Sequence, residues 1–338
     1  MIFWKGTCHV ALHIFALLAC AIVIYLSCEM FVNAVEWLGV RLNMGTLAIG
    51  TMLAAIGTAL PESIVTLVAV TIRHAKASKD IGVGAAMGGP LALSTIAYGI
   101  SGYMLLRKKR GPNPLKGVDL SQLPKDQQWF LAIFIVKVSL GLVAFAWKPW
   151  LGFLFFAAYG AYFIKELRAD TEKHTDADLE PLKLQPKKAI PSGWAVAVQT
   201  LASLAVIFGA SQLFVAQLEW VSPALGLSAT VTALLLSPVA TELPEVMNAI
   251  IWIRQGKTSL ALANISGAMM IQATVPSGLG ILFTPWKFDS ALKLSGAVTI
   301  VAIVYLLFLL KTKSFTPYRV TAVGALYAVF AIGLVIIG

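Results

Sequence analysis

Gly57-Thr58-Ala59-Leu60-Pro61-Glu62 recurs downstream as Ala240-Thr241-Glu242-Leu243-Pro244-Glu245. Each copy sits inside an apolar run long enough to cross a bilayer. A charged side chain at the centre of a membrane helix costs about 2.5–3.5 kcal/mol on insertion scales. A chain that carries this cost twice, at matched positions, is expected to use the carboxylates. The match extends outward. Phe31-Val32 and Glu36-Trp37 parallel Phe214-Val215 and Glu219-Trp220, at the offset of 183 residues that also separates Glu62 from Glu245. Laid on 214–245 without gaps, residues 31–62 share ten identities in 32. Agreement in register at both ends is more than one chance helix-end match supplies.

The composition fits a polytopic membrane protein. Only 12% of the 338 residues are charged and 58% are hydrophobic, against about 25% charged in soluble domains, and the mean hydropathy is +0.82. A net charge of +10 would suggest nucleic acid in a soluble protein. Here it reads as basic cytoplasmic loops, and no nucleic-acid partner is expected. Cys8, Cys20 and Cys28 form neither a disulfide framework nor a CxxC pair and read as small apolar packers. The N-terminal apolar run reads as a retained helix rather than a signal peptide.

A span needs about 20 apolar residues. Ten are expected, at roughly 10–34, 46–72, 80–105, 128–147, 149–166, 193–217, 228–253, 258–283, 290–311 and 317–337. The fold class is thus all-α with about ten transmembrane helices. Helices one to three of the first repeat occupy 1–106, a basic cytoplasmic loop 107–127, helices four and five 128–166, a Pro-containing cytoplasmic linker 167–192, and helices six to ten 193–338. Five helices per half is an odd number, so the second half enters the membrane in the opposite sense. That is the inverted-repeat plan of secondary transporters. Eighteen Lys and Arg fall on one side of this plan and seven on the other, which places both termini outside. The expected location is the plasma membrane, or the inner membrane of a bacterial cell.

Thr58 and Glu62 are four residues apart, so a helix puts them on one face, and Thr241 and Glu245 repeat this. Hydroxyl and carboxylate oxygens suit hard cations such as Na⁺ and Ca²⁺. Pro61 cannot bond back to the carbonyl of Gly57, nor Pro244 to that of Ala240, and Pro238 similarly frees Leu234. Carbonyls freed at membrane depth need a partner, and a cation can be one. The expectation is two broken helices that place carbonyls beside carboxylates.

The two stretches resemble the alpha-repeat motif of the sodium/calcium exchanger family, in the calcium/cation antiporter superfamily. The resemblance covers the paired-helix regions at about 46–105 and 228–283 and the ten-helix plan. In that family each Gly-Thr-Ser-x-Pro-Glu helix is followed by a helix carrying Gly-Asn-x-x-Gly-Ser-Asn. The resemblance implies alternating-access cation exchange, with Glu62 and Glu245 as central ligands, Thr58, Thr241, Gly57 and Ala240 beside them, and no cofactor beyond the transported cations (Ca²⁺, Na⁺ or H⁺).

The partner helices depart from that pattern. Ala85, Gly89 and Pro90 stand where Asn, Ser and Asn are expected. In the second half Asn264 and Gly267 match, Ala268 and Met269 do not, and the acidic or amide position reads Leu93 in one half and Gln272 in the other. Glu242 takes the family's serine position, three residues before Glu245. Two carboxylates this close repel, so one of them, or Glu62, is expected to carry a proton during part of the cycle. Asn264, Gln272 and Lys137 are accessory candidates. Lys137, near the centre of helix four, has two readings: a side chain lying along the helix to reach an edge, or a tethered cation paired with a site glutamate. Glu29 is gating polarity or a water-facing turn, Glu36 and Glu219 are interfacial anchors, and Asn33 and Asn248 are supporting groups for the site.

An enzyme is not expected. His9, His13, His74 and His174 sit at or beyond expected helix ends, and no Gly-x-Ser-x-Gly elbow occurs. The leading expectation is an antiporter exchanging Ca²⁺ or another cation for Na⁺ or H⁺. Proton-coupled monovalent-cation antiport, a cation channel and a transport-dead relative stay open, as does oligomeric state. The partners are cations and the lipid bilayer.

Overall fold

A computed structural model of the chain describes residues 2–45, 48–71, 76–107, 115, 118–169, 179–224, 235 and 237–337, with the backbone alone for some, including Pro61, Glu62 and Ala240. All of its elements are helical. In chain order they are α1 (Ile2–Arg41), a π-helical stretch (Ile49–Ala54) leading into α2 (Ala55–Thr71), then α3 (Lys76–Ala92), joined by a π-helical turn (Leu93–Ala97) to α4 (Tyr98–Arg107). Next come α5 (Leu123–Leu142), a 3-10 turn (Lys148–Leu151) with α6 (Gly152–Ala169), and α7 (Gly193–Ala224). The chain closes with α8 (Ser237–Thr241), α9 (Leu243–Gln255), α10 (Thr258–Phe283), α11 (Ser290–Lys311), α12 (Pro317–Val323) and α13 (Ala325–Ile337). These fall into ten helical stretches at the ten expected spans. Among the described residues, six helices are long and apolar enough to cross a membrane by length and composition.

Burial separates an inner layer from an outer one. The most apolar windows of the α3–α4 span and of α10 are each 83% buried, against 17% for α1. Leu201, Trp147 and Ile336 lie on the exterior, the apolar surface that hydrocarbon requires. Helix α10 is the hub: it packs against α2, α3, α5, α6 and α9. Small residues allow the closest crossing. A Cβ added at Gly267 would stand 2.2 Å from the Thr51 carbonyl oxygen, and one at Gly50 2.8 Å from the Ala263 Cβ. Such contacts replace hydrophobic driving force between membrane helices.

Several expectations change here. Helix α1 runs to Arg41 rather than ending near 34, so Glu36 lies inside it and is buried, not an interfacial anchor. It accepts a hydrogen bond from Trp252 Nε1 at 2.8 Å and pairs with Lys257. The cause is the α9–α10 hairpin, which turns at Gly256 (φ +94°) and folds over the end of α1. The φ at Gly256 is left-handed, which glycine tolerates. Asn33, expected to support the site, fastens the linker. Its Oδ1 accepts from the Lys183 amide at 2.9 Å and from Gln199 Nε2 at 3.0 Å, and its Nδ2 donates to the Pro181 carbonyl at 3.2 Å. Glu29 pairs with Lys183 at 3.4 Å on the same linker. His13 sits within α1, stacked on Trp220 with ring centroids 3.6 Å apart, not at a helix end. His74 and His174, and the side chains of His9, Cys8 and Glu219, lie outside the described residues.

Candidate cation site

The second copy of the opening motif breaks as its prolines require. Helix α8 stops at Thr241, Glu242 leaves helical geometry (φ −84°, ψ +5°), and α9 starts at Leu243 with Pro244 in its first turn. A proline is tolerated there because the first turn's amides lack helical partners anyway. The Pro238 carbonyl accepts from the Glu242 amide at 3.0 Å and from the Thr241 hydroxyl at 3.1 Å. The Cys28 thiol reaches the Pro244 carbonyl at 3.8 Å and ties α1 to the break. The first copy does not break. Helix α2 continues through Pro61, and the irregularity lies upstream in the π-helical stretch Ile49–Ala54. The expectation of two broken helices therefore holds for one repeat only. The side chain of Glu62 lies outside the described residues, as does that of Ala240.

The break turns two carboxylates inward. Glu242 and Glu245 are 2% and 0% exposed. Glu242 Oε1 accepts from Gln272 Nε2 at 2.6 Å, joining the break to α10. The amide of Asn264, nearly two turns into α10, reaches back to the Glu245 carbonyl at 3.4 Å. Thr58 of the first repeat is buried beside Glu245, but its hydroxyl proton goes to the Ala54 carbonyl at 3.1 Å. Its lone pairs stay available. Both Glu245 carboxylate oxygens, Glu242 Oε2, Gln272 Oε1, Asn264 Oδ1 and the Asn248 amide make no hydrogen bond among the described residues. Buried acceptors without donors are costly. Oxygen acceptors of this kind are what a hard cation coordinates.

Gly89 explains how this constellation fits. A Cβ there would stand 2.3 Å from Gln272 Oε1 and 2.7 Å from Glu242 Oε1. The position where the resembled motif has serine is thus kept bare, and the Glu242–Gln272 pair fills the space. The hydroxyl lost from α3 and the carboxylate gained at the break are two sides of one exchange. Sequence reading noted both departures but not their contact, because only the fold brings residues 89 and 242 together.

Of the two sequence readings of Lys137, the one in which it reaches an edge does not hold, and the one that pairs it with a site glutamate falls partly on the Glu62 side chain, outside the described residues. Its side chain is 0% exposed, so it reaches no edge. No carboxylate among the described residues pairs with it. Its ammonium donates to the Ala86 carbonyl at 2.9 Å and to the Ser277 hydroxyl at 3.1 Å, and lies 4.7 Å from the centroid of the Phe134 ring. Asn248, expected to support the site, is fully buried on α9 one turn beyond Glu245.

The sequence matches the family described as "Sodium/calcium exchanger protein" over residues 12–165 and 195–337. Among curated relatives, "Inner membrane protein YrbG" of Escherichia coli (strain K12) is 27% identical over 312 residues, 90% of each chain. "Putative antiporter CaxA" of Alkalimonas amylolytica is 24% identical over 282 residues, 82% of each chain. Among solved structures, the sodium-calcium exchanger NCX_Mj soaked with 2.5 mM Na⁺ and 0.1 mM Sr²⁺ shares the fold. Its TM-score is 0.73 at 20% identity, covering 95% of this chain and 98% of that one.

Proposed function

The chain belongs to the sodium/calcium exchanger family, and we propose from that premise that it is a secondary-active cation antiporter. Its cation passes a carboxylate site where the two repeats meet. The exported cation is Ca²⁺ or another cation of similar oxygen preference, and the coupling ion is Na⁺ or H⁺. Glu62 and Glu245 are the central ligands. Thr58, Thr241, Gly57 and Ala240 supply hydroxyl and carbonyl oxygens, and Glu242, Asn264 and Gln272 complete the shell. Both termini face outward. The observation that carries this reading is the group of buried, donor-free oxygens around Glu245, supplied by the α8–α9 break, α9 and α10, with Thr58 of α2 beside them.

Proton coupling has an observation of its own. Glu242 and Glu245 are both buried, three residues apart, and no basic side chain pairs with either among the described residues. Two like charges so placed do not both stay ionised without a cation between them. In this reading a proton occupies the pair when the metal leaves.

The test is flux into liposomes that contain the purified protein, loaded with Na⁺ or carrying a pH gradient, with Ca²⁺, Mn²⁺ and K⁺ offered outside. Antiport predicts saturable uptake that stops when the internal counter-ion is removed. Uptake that persists without a counter-ion indicates a channel and overturns the reading. Glu242→Gln should flatten the pH dependence. Unchanged flux and pH profile in that variant would remove the proton.

A further inference from the structure

Two prolines free carbonyls on the inner helices, and Lys137 stands where those carbonyls converge. Pro90 lies inside α3, so the Ala86 carbonyl four residues before it has no helical amide to accept from. Pro276 lies inside α10 and frees the Gln272 carbonyl in the same way. The ammonium of Lys137 donates directly to Ala86 at 2.9 Å. It also donates at 3.1 Å to the Ser277 hydroxyl, which passes its own proton to the Gln272 carbonyl at 3.1 Å. Phe134 closes a third side with its ring face, a surface that attracts cations. Lys137 is held in turn by its own backbone, whose carbonyl accepts from Trp286 Nε1 at 3.0 Å.

The seat is adjacent to the glutamates. On α3, Ala86 is three residues before Gly89, which touches the Glu242–Gln272 pair. On α10, Ser277 is five residues beyond Gln272. Both displacements run toward the loop between α10 and α11, about one helical turn along α3 and about one and a half along α10. The two groups that hold the ammonium therefore lie on the turns next to the residues that touch the Glu242 carboxylate. Freed carbonyls and hydroxyls beside a broken helix are the ligands by which transporters hold monovalent cations.

We propose that the Lys137 ammonium permanently fills a monovalent-cation subsite next to the exchange site, a fixed counter-charge to the added carboxylate of Glu242. A seat filled by the protein's own cation takes no ion from solution, so each cycle carries one coupling cation fewer than the open seat would allow. This inference rests on the antiporter reading for its transport consequence, but not for its binding consequence.

The experiment uses Lys137→Ala, which opens the seat, and Lys137→Gln, which keeps a donor for Ala86 but removes the charge. In detergent at constant ionic strength, thermal unfolding is followed against Na⁺, with N-methyl-D-glucamine as replacement. Lys137→Ala should gain a saturable Na⁺-dependent rise in Tm beyond any that wild type shows. In liposomes, the gradient at which net flux vanishes should report one more coupling cation per transported cation in Lys137→Ala and Lys137→Gln than in wild type. If Lys137→Ala does not fold, the flux balance of Lys137→Gln decides. An unchanged coupling number in folded, active variants overturns the proposal. So does a folded Lys137→Ala whose Tm responds to Na⁺ no more than that of wild type. If wild type itself carries no flux, the antiporter reading fails, and the Na⁺ titration alone decides the subsite.

Discussion

The two copies of the Thr-x-Leu-Pro-Glu stretch share four residues and fold differently. Around Pro244 the helix stops, turns at Glu242 and restarts. Around Pro61 it runs on from Ala55 to Thr71, and a π-helical stretch takes up the irregularity before it. The sequences around the prolines account for part of this. The second copy has a further proline, Pro238, six residues before Pro244, so the segment lacks two backbone amides. The first copy has Ala55 at the position matching Pro238, and one proline is absorbed. The difference teaches that a repeat can keep its Thr-x-Leu-Pro-Glu sequence and assign the backbone break to one half. The broken half also carries the extra carboxylate, Glu242, which accepts from Gln272 at the break.

That comparison can be broken at its tightest point, where α10 of the second repeat crosses the π-helical stretch of the first. Gly267→Leu would drive a side chain into the Thr51 backbone, 2.2 Å from the Cβ position. Overpacking against backbone that cannot yield costs about 3 kcal/mol or more, read as a lowered unfolding midpoint in detergent. Gly50→Ala, on the facing side, should cost less, since the Cβ would meet the Ala263 methyl at 2.8 Å. Equal, negligible effects would mean the repeats do not meet there.

The exchange between α3 and the break comes next. Gly89→Ser should clash with Gln272 and Glu242 and lower apparent cation affinity about tenfold, the effect of about 1.4 kcal/mol. Adding Glu242→Ser should restore much of it, because the carboxylate then vacates the space. Independent, additive losses in the double variant would show that the two positions do not share it.

The Lys137 seat offers a cycle of comparable size. Lys137→Met leaves the Ala86 carbonyl without its donor, a loss of about 1–3 kcal/mol for a buried acceptor. Pro90→Ala gives that carbonyl a helical amide. Lys137→Met should therefore be milder in the Pro90→Ala background, by denaturation in detergent. The smallest expected effect separates the two threonines. Thr58 is buried beside Glu245, whereas Thr241 is partly exposed. Thr58→Val should weaken apparent cation affinity by about 1 kcal/mol and Thr241→Val by less. The reverse order would make the broken repeat the tighter half of the site.

Much of this was legible in the chain. Ten apolar runs and a constant offset of 183 give the helices and the repeat, since bilayer thickness fixes helix length. Pro244 and Glu245 mark the break because a proline's missing amide acts locally. What escaped depends on contacts distant in sequence. Glu36 reads as interfacial from its Trp neighbour, but Lys257 and Trp252 arrive to bury it. Asn33 reads as a site group but meets the linker. The seat of Lys137 needs Pro90 and Pro276, 47 and 139 residues away, and no periodicity relates them. The continuity of α2 through Pro61 has no local sign beyond the missing second proline.

The central claim is that the two unlike copies contribute their Pro-Glu carboxylates, Glu62 and Glu245, to a single exchange site. Counter-ion-driven cation uptake by liposomes containing Glu62→Gln or Glu245→Gln, measured beside wild type, tests it most directly. Both variants should fold and lose uptake, on the order of a hundredfold or more, since a buried charge left unpaired or removed from its partner costs about 3–5 kcal/mol. Uptake at the wild-type rate in either variant would contradict the account.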